Sequence, residues 1–267
     1  MLFDAHNHLQ DEALVPHLPG VLLECERAGI GRAVVNGTQE ADWERVEALA
    51  AAHPWVFPSY GLHPWFVKSR TPDWHRHLTA LLEPGRAAVG EIGLDRWVEG
   101  FDIEDQAEVF GWQLALAARL NLPVSIHCLK AWGHLWEMLR VQAVPECGFL
   151  LHAYGGPAEM VEGFVRRGAY FSFPGYYLHA RKAAQREVFR AIPAERLLVE
   201  TDAPDMPLPS ERVWVSLPDS SEGRALNHPA NLPAVYEGLA ELRGWTLETL
   251  TAQVAENFER LFGGVKR

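Results

Sequence analysis

Two histidines one residue apart, His6 and His8 in D-A-H-N-H, close an apolar opening run, and the same donor chemistry recurs at His63, Glu91, His127, His152 and Asp202. Imidazole nitrogen and carboxylate oxygen suit borderline divalent ions such as zinc, and an ion that does chemistry keeps one position open for water. Residues i and i+2 of an extended segment share a face, so His6 and His8 can reach one ion while Asn7 faces away. Glu91, in A-V-G-E-I-G-L-D, is the carboxylate among the central positions, with Gly90 and Gly93 beside it permitting close backbone approach. A carboxylate spans two ions with its two oxygens when they lie roughly 3.5–4 Å apart. Glu91 is therefore assigned as the bridge, with His6, His8 and Asp202 around one ion and His127 and His152 around the other. No lysine stands at a ligand position, so a carbamylated lysine is not available for that role. Taken singly, each residue has a plainer reading: His152 as a hydrogen-bonded core residue, Glu91 as partner of a buried Arg, Asp202 as a turn cap. Six such groups recurring together at strand ends point to a metal centre.

The elements that must position them alternate along the whole chain. Apolar runs predict strands near Leu2–His6, Arg32–Asn36, Trp55–Tyr60, Ala87–Glu91, Pro123–His127, Gly148–His152, Ala169–Ser172 and Leu197–Asp202. Amphipathic segments predict helices near Gly20–Ala28, Glu40–Ala52, Pro72–Glu83, Ile103–Leu120, Lys130–Gln142, Pro157–Arg167, His179–Ile192 and Leu232–Leu242. An extra C-terminal helix, Thr246–Phe262, follows, opened by Thr246 and closed by Gly263-Gly264. Eight strand-helix units predict the α/β class and a (β/α)8 TIM barrel, one domain over residues 1–267, with reactive groups where strands end. The irregular stretch Ala203 to Pro229, with five prolines, suits either a lid or a fixed packing element.

At 267 residues the length fits one barrel. No apolar stretch is long enough to span a bilayer, and no leader pattern precedes Leu2, so the expectation is a soluble cytoplasmic protein with no membrane partner. Cys25, Cys128 and Cys147 show no C-x-x-C spacing, in keeping with a reducing compartment and no disulfide framework. A formal charge of −11 argues against nonspecific attraction of polyanions. No obligate protein partner is evident.

Eight stretches carry a family likeness: D-A-H-N-H-L at Asp4–Leu9, G-L-H-P-W at Gly61–Trp65, G-E-I-G-L-D at Gly90–Asp95, L-P-V-S-I-H at Leu122–His127, L-H-A-Y-G-G at Leu151–Gly156, L-V-E-T-D-A-P at Leu198–Pro204, N-H-P-A-N-L at Asn227–Leu232 and E-N-F-E-R-L-F-G at Glu256–Gly263. Along nearly its whole length the chain resembles the TatD family of metal-dependent hydrolases, TatD-like deoxyribonucleases within the amidohydrolase-like TIM barrels. The resemblance implies a two-metal phosphodiesterase or deoxyribonuclease that uses a metal-activated water. Its ligands would be His6, His8, Glu91, His127, His152 and Asp202, its two ions Mg²⁺, Mn²⁺ or Zn²⁺, and its substrate DNA or a smaller phosphodiester. The same likeness places His63 beside the substrate phosphate and makes Asp202 both ligand and proton acceptor, so that Asp202, Glu91 and His63 form the catalytic set.

The sequence departs from the family at two places. The usual H-x-R after the fifth strand is His127-Cys128-Leu129-Lys130-Ala131, where Lys130 is left to bind substrate as a point charge without the planar fork of arginine. The usual H-C-F-S-G is His152-Ala153-Tyr154-Gly155-Gly156. Around the mouth, Trp65, Phe66, Trp97 and Phe101 are suited either to stack on bases or to cover helix ends. His63 is either a phosphate donor or a turn residue fixed by Pro64. Glu200, on the same strand face as Asp202, either orients a histidine or forms a buried structural pair. The alternative function is a small-molecule or peptide amidohydrolase, because the same cage hydrolyses amides and lactones. A metal-binding module without catalysis would lack a ligand, and all six are present.

Overall fold

In a computed structural model that describes residues 1–220 and 222–265, the apolar runs form eight parallel strands in one sheet, in the order β1 to β8. They are β1 (Leu2–Asn7), β2 (Ile30–Asn36), β3 (Val56–Tyr60), β4 (Ala88–Asp95), β5 (Val124–Leu129), β6 (Phe149–Leu151), β7 (Ala169–Pro174) and β8 (Leu197–Glu200). The helices α1 (Leu18–Arg27), α2 (Glu40–Ala52), α3 (Trp74–Leu82), α4 (Ile103–Leu120), α5 (Trp132–Val141), α6 (Val161–Arg166), α7 (Ala183–Ala191) and α8 (Leu232–Arg243) alternate with them. The expected extra C-terminal helix is α9 (Leu247–Phe262). The architecture is the predicted TIM barrel.

Local chemistry places the helix ends. The Gln39 side chain and Asp42 make a reciprocal capping box at the start of α2. The Asp102 carboxylate accepts from the Asp105 N–H to start α4, which stops at Asn121 in the left-handed region with φ 49°. Thr246 accepts from the Thr249 N–H at 3.1 Å and opens α9.

One expectation needs correcting. The fourth strand does not end at Glu91 but runs four residues further to Asp95, because Ile92, Gly93, Leu94 and Asp95 continue the ladder opposite Ile126, His127, Cys128 and Leu129. Glu91 thus sits inside β4. A side chain at Gly90 would come within 2.9 Å of Asn36, Ser59 and Ser125, and one at Gly93 (φ 157°) within 1.9 Å of the His127 carbonyl. Glycine is the residue that fits at both places.

Among the described residues, no strand ladder joins β8 to β1. Side chains and loop backbone close that seam instead. The buried Asp4 carboxylate accepts from the Thr201 N–H at 3.0 Å, the Thr201 hydroxyl at 2.6 Å and the Asn7 amide at 3.0 Å. Just above, Asp202 donates its N–H to the His6 carbonyl and His8 donates its own to the Ala203 carbonyl. Below, the buried Tyr236 hydroxyl of α8 accepts from the Phe3 N–H at 3.1 Å and donates to the Phe3 carbonyl at 2.9 Å. From α9 the Asn257 amide donates to the Leu197 carbonyl, and Phe258 packs on Phe3. The terminal helices thus supply the pairing that the eighth strand does not.

A prediction follows from that seam. Tyr236→Phe leaves a buried N–H and C=O of Phe3 unpaired and is expected to lower stability by about 1–3 kcal/mol, read as a shift in the urea unfolding midpoint at unchanged slope. An unchanged midpoint would show that the seam does not depend on this hydroxyl.

Candidate metal centre

The expected residues come together at the C-terminal end of the barrel. His6 lies within β1 and His8 one residue past it; His127 lies within β5, His152 directly follows β6, and His63 is three residues past β3. Asp202 stands two residues beyond β8 in the left-handed region, φ 54°, a conformation aspartate adopts more readily than most residues. His6, His8, His63, Glu91, His152 and Asp202 are buried and His127 is partly so.

Glu91 divides the donors between its two oxygens. Oε2 faces His6 Nε2 at 3.4 Å and His8 Nε2 at 3.2 Å, and Asp202 Oδ1 is 3.6 and 3.5 Å from the same two nitrogens. Oε1 faces His127 Nδ1 at 3.0 Å, His152 Nε2 at 2.9 Å and His63 Nε2 at 3.4 Å. The inner nitrogens of His6 and His8 are 3.2 Å apart, as are those of His127 and His152. Three donor groups have their ligand atoms within 4.8 Å of one another: His6, His8 and Glu91; His6, His152 and Asp202; His63, Glu91 and His127. The second group links His152 to the His6 side, where its ring stacks on His6 at 4.0 Å.

The outer nitrogens decide what the inner ones offer. His8 Nδ1 lies 2.8 Å from the Asn36 carbonyl and His127 Nε2 lies 3.0 Å from Asp95 Oδ2. Carbonyls and carboxylates only accept, so both outer nitrogens carry the proton, and in the neutral ring a lone pair is left pointing inward. His152 Nδ1 faces Glu200 Oε1 at 3.6 Å in the same sense, and among the described residues neither atom has a hydrogen-bond partner. His6 Nδ1 is held at 2.7 Å by the Ser125 hydroxyl. His63 is the exception. Its Nδ1 accepts from the Trp65 N–H at 3.1 Å, so its neutral ring presents an N–H at Nε2 rather than a lone pair.

Electrostatics agree with a site built for cations. Burial pushes the Glu91 carboxyl up, but the His63, His152 and His6 charges outweigh it and hold the group well below the usual carboxylate range. Burial likewise disfavours charge on His8 and His152, yet Asp202 and Glu91 for the first, and Glu91 and Glu200 for the second, leave both well above the ordinary imidazole value. Burial, reinforced by His152, takes His6 down to about 3. Burial also lifts Glu200 to about 7, against the pull of His152. Lone pairs converging in a buried pocket that attracts positive charge fit divalent ions, and the preponderance of imidazole favours borderline ions over magnesium.

Some contributors escaped the sequence reading. Asp95 anchors His127, and Ser125 anchors His6. Ser59 and Ser172 lie within β3 and β7 like Ser125 within β5, and Ser172 bonds Glu200. Their signal was a lone serine amid apolar strand residues, in P-S-Y, V-S-I-H and F-S-F. Glu200 takes the orienting position toward His152 and pairs with Ser172 as well. The Ala203–Pro229 stretch takes the fixed role: Asn227 donates to the Thr201 carbonyl, while Asn231 accepts from the Trp214 and Val215 N–H groups. Lys130 is exposed and left-handed (φ 56°), directly after β5. Tyr154 of H-A-Y-G-G is fully buried against Trp132 and Phe171.

The comparisons with known proteins agree over the whole length. The family described as TatD related DNase matches residues 3–263. The "3'-5' ssDNA/RNA exonuclease TatD" of Erwinia tasmaniensis is 32% identical over 267 residues, covering 98% of this chain and 99% of that protein. The "uncharacterized metal-dependent hydrolase YabD" of Bacillus subtilis is 30% identical over 265 residues, with 98% and 99% covered. Among solved structures, YJJV, a TatD homolog from Escherichia coli K12, superimposes with TM-score 0.88 at 29% identity, covering 98% of both chains.

Ion binding must displace protons from His8 and His152, whose carboxylate neighbours favour the charged ring, so affinity for a divalent ion is expected to rise with pH. Calorimetric titration of Zn²⁺ into stripped protein at pH 7, in two buffers of different ionisation enthalpy, should read roughly one or more protons released per protein. No release would mean that the ion does not enter among these imidazoles.

Proposed function

Since the chain belongs to the TatD related DNase family, we propose that it is a hydrolase of phosphodiester bonds in nucleic acid, acting as a single domain over residues 1–267 with two divalent ions. The observation that carries this reading is the division of the donors by Glu91, whose two oxygens face separate sets of nitrogens. Glu91 is the proposed bridge, with His6, His8 and Asp202 on one side and His127 and His152 on the other. Its donor set favours Zn²⁺ or Mn²⁺ over Mg²⁺. Several relatives are named as 3'-5' exonucleases of single-stranded DNA and RNA, and that activity is proposed here.

Two ions so held would supply Lewis acidity and ionise water near neutral pH. The chain's own groups do the rest. Asp202 orients the attacking water and takes its proton; burial works to raise its basicity, and the depressing influence of the His8 ring 3.5 Å away weakens once that ring is neutral. His63 donates its Nε2 N–H to a non-bridging phosphate oxygen, which its tautomer suits. Lys130, exposed at the end of β5, attracts the phosphate as a point charge. The outer partners Ser125, Asn36 and Asp95 keep the His6, His8 and His127 rings from turning, and Glu200 faces His152 as a charge 3.6 Å away. Cytoplasmic action is proposed as well, in keeping with three cysteines that are all free.

The test is hydrolysis of bis-p-nitrophenyl phosphate and short single-stranded DNA by stripped protein reloaded with Mg²⁺, Mn²⁺ or Zn²⁺. Activity should return with metal and fall by about two or more orders of magnitude in Asp202→Asn. Glu91→Gln should keep the fold while losing metal stoichiometry and activity together. Amide or lactone turnover exceeding phosphodiester turnover by orders of magnitude would replace this reading with the amidohydrolase one.

A further inference from the structure

Exposed aromatic side chains gather beside the metal centre. Trp65 is 46% exposed, Trp97 59% and Phe101 43%. The Trp65 ring stands edge-on to His63, with 5.2 Å between ring centres, and the Trp97 ring follows at 6.4 Å from Trp65, tilted by 34°. Phe101 and Trp65 line a hollow on the same rim.

Asp95 anchors the Trp65 indole and the Trp97 backbone. Its Oδ2 accepts from Trp65 Nε1 at 2.7 Å and from His127 Nε2 at 3.0 Å; its Oδ1 accepts from the Trp97 N–H at 2.5 Å and the Val98 N–H at 3.1 Å. Asp95 is fully buried, four residues along β4 from Glu91. With its N–H committed to Asp95, the Trp65 indole has only its apolar faces left to offer. A rigid, half-exposed π-face beside a reacting phosphodiester suits a flat partner. Glu99 and Asp102, which line the same hollow, repel phosphate, and the Lys68 ammonium there already donates to the Gly100 carbonyl at 2.6 Å. The rim therefore fits a base and not the charged backbone.

The geometry points to Trp65 and Trp97 as the platform on which an unpaired nucleobase next to the scissile phosphodiester stacks, with Asp95 as the positioning residue that fixes the platform relative to His127. This rests on the nucleic-acid reading above and deepens it: stacking tolerates any base and requires a face free of a paired duplex stack, as at a single strand or a frayed end. A base seated on the platform would lie at a set distance from the phosphate, because one carboxylate holds both the platform and a histidine of the centre.

The experiment compares short oligothymidylate with a strand of equal length whose bases are replaced by tetrahydrofuran, using metal-reloaded protein, Trp97→Ala and Trp65→Phe. Fluorescence anisotropy of labelled strands on metal-free protein gives a second readout that needs no turnover. The unaltered protein should show KM and Kd roughly five- to a hundredfold lower for the base-bearing strand, and Trp97→Ala should narrow that gap. Trp65→Phe keeps a ring but removes the donor to Asp95; it should lower kcat on both strands more than it raises either KM. Equal KM and Kd for the two strands in the unaltered protein would overturn the platform while leaving the nuclease reading intact, and an unaltered kcat in Trp65→Phe would remove the positioning role of Asp95. Failure of the unaltered protein to cleave either strand would overturn the nuclease reading, and the platform with it.

Discussion

An ionised carboxylate moved out of water is stable only if the surrounding protein replaces the lost hydration, and Glu91 is 3% exposed inside the barrel mouth. Its surroundings answer to that requirement. Imidazoles reach it from β1, from the loop after β3, from β5 and from the end of β6, so no local segment could build the site alone. The interior of such barrels is ordinarily filled by bulky branched side chains. Here buried Asn36, Ser59, Ser125 and Ser172 take that space, and the serines bond the Gly90 carbonyl, His6 and Glu200 respectively. Gly90 belongs to the same constraint, since three of these residues occupy the space a side chain there would need.

The histidines also illustrate how a role is set from behind. For His8, His127 and His63 one nitrogen faces the centre and the other meets an outer partner that fixes the proton. Carbonyl and carboxylate partners at Asn36 and Asp95 turn His8 and His127 into lone-pair donors. A backbone N–H at Trp65 turns His63 into a hydrogen-bond donor of the same shape and nearly the same place. The difference between holding an ion and holding a phosphate oxygen thus lies in which backbone or side-chain atom sits on the far side of a ring.

Much of this was legible in the chain. Element type and order followed from periodicity, and α2 and α4 begin and end at the residues it predicted. The six donors could be named because all are metal-compatible types that recur where strands end. Glu91 was misplaced along its strand because two glycines and a charge interrupt the apolar pattern there, while the continuing ladder to β5 is a tertiary fact with no local signature. Ser125 and Asp95 were missed for a related reason: a serine or aspartate in a strand says nothing about which histidine it backs until register places them side by side. The N-H-P-A-N stretch carried family likeness without visible chemistry, and its asparagines turn out to pin the long loop.

The β1–β8 seam bears on how the chain is made. His6 and Asp202 are separated by almost the whole barrel, and Phe3 meets Tyr236 across 233 positions. During synthesis β1 emerges ahead of the other strands but has no closing partner until the Thr201–Ala203 segment after β8 has left the ribosome. Closing this seam is therefore strongly non-local and costly in loop entropy. Because the same closure brings Asp202 to His6 and His8, a nascent fragment cannot complete the proposed ion cage. Hydrolytic competence and topological completion would arrive together, and bound ions would reinforce the finished ring by mass action.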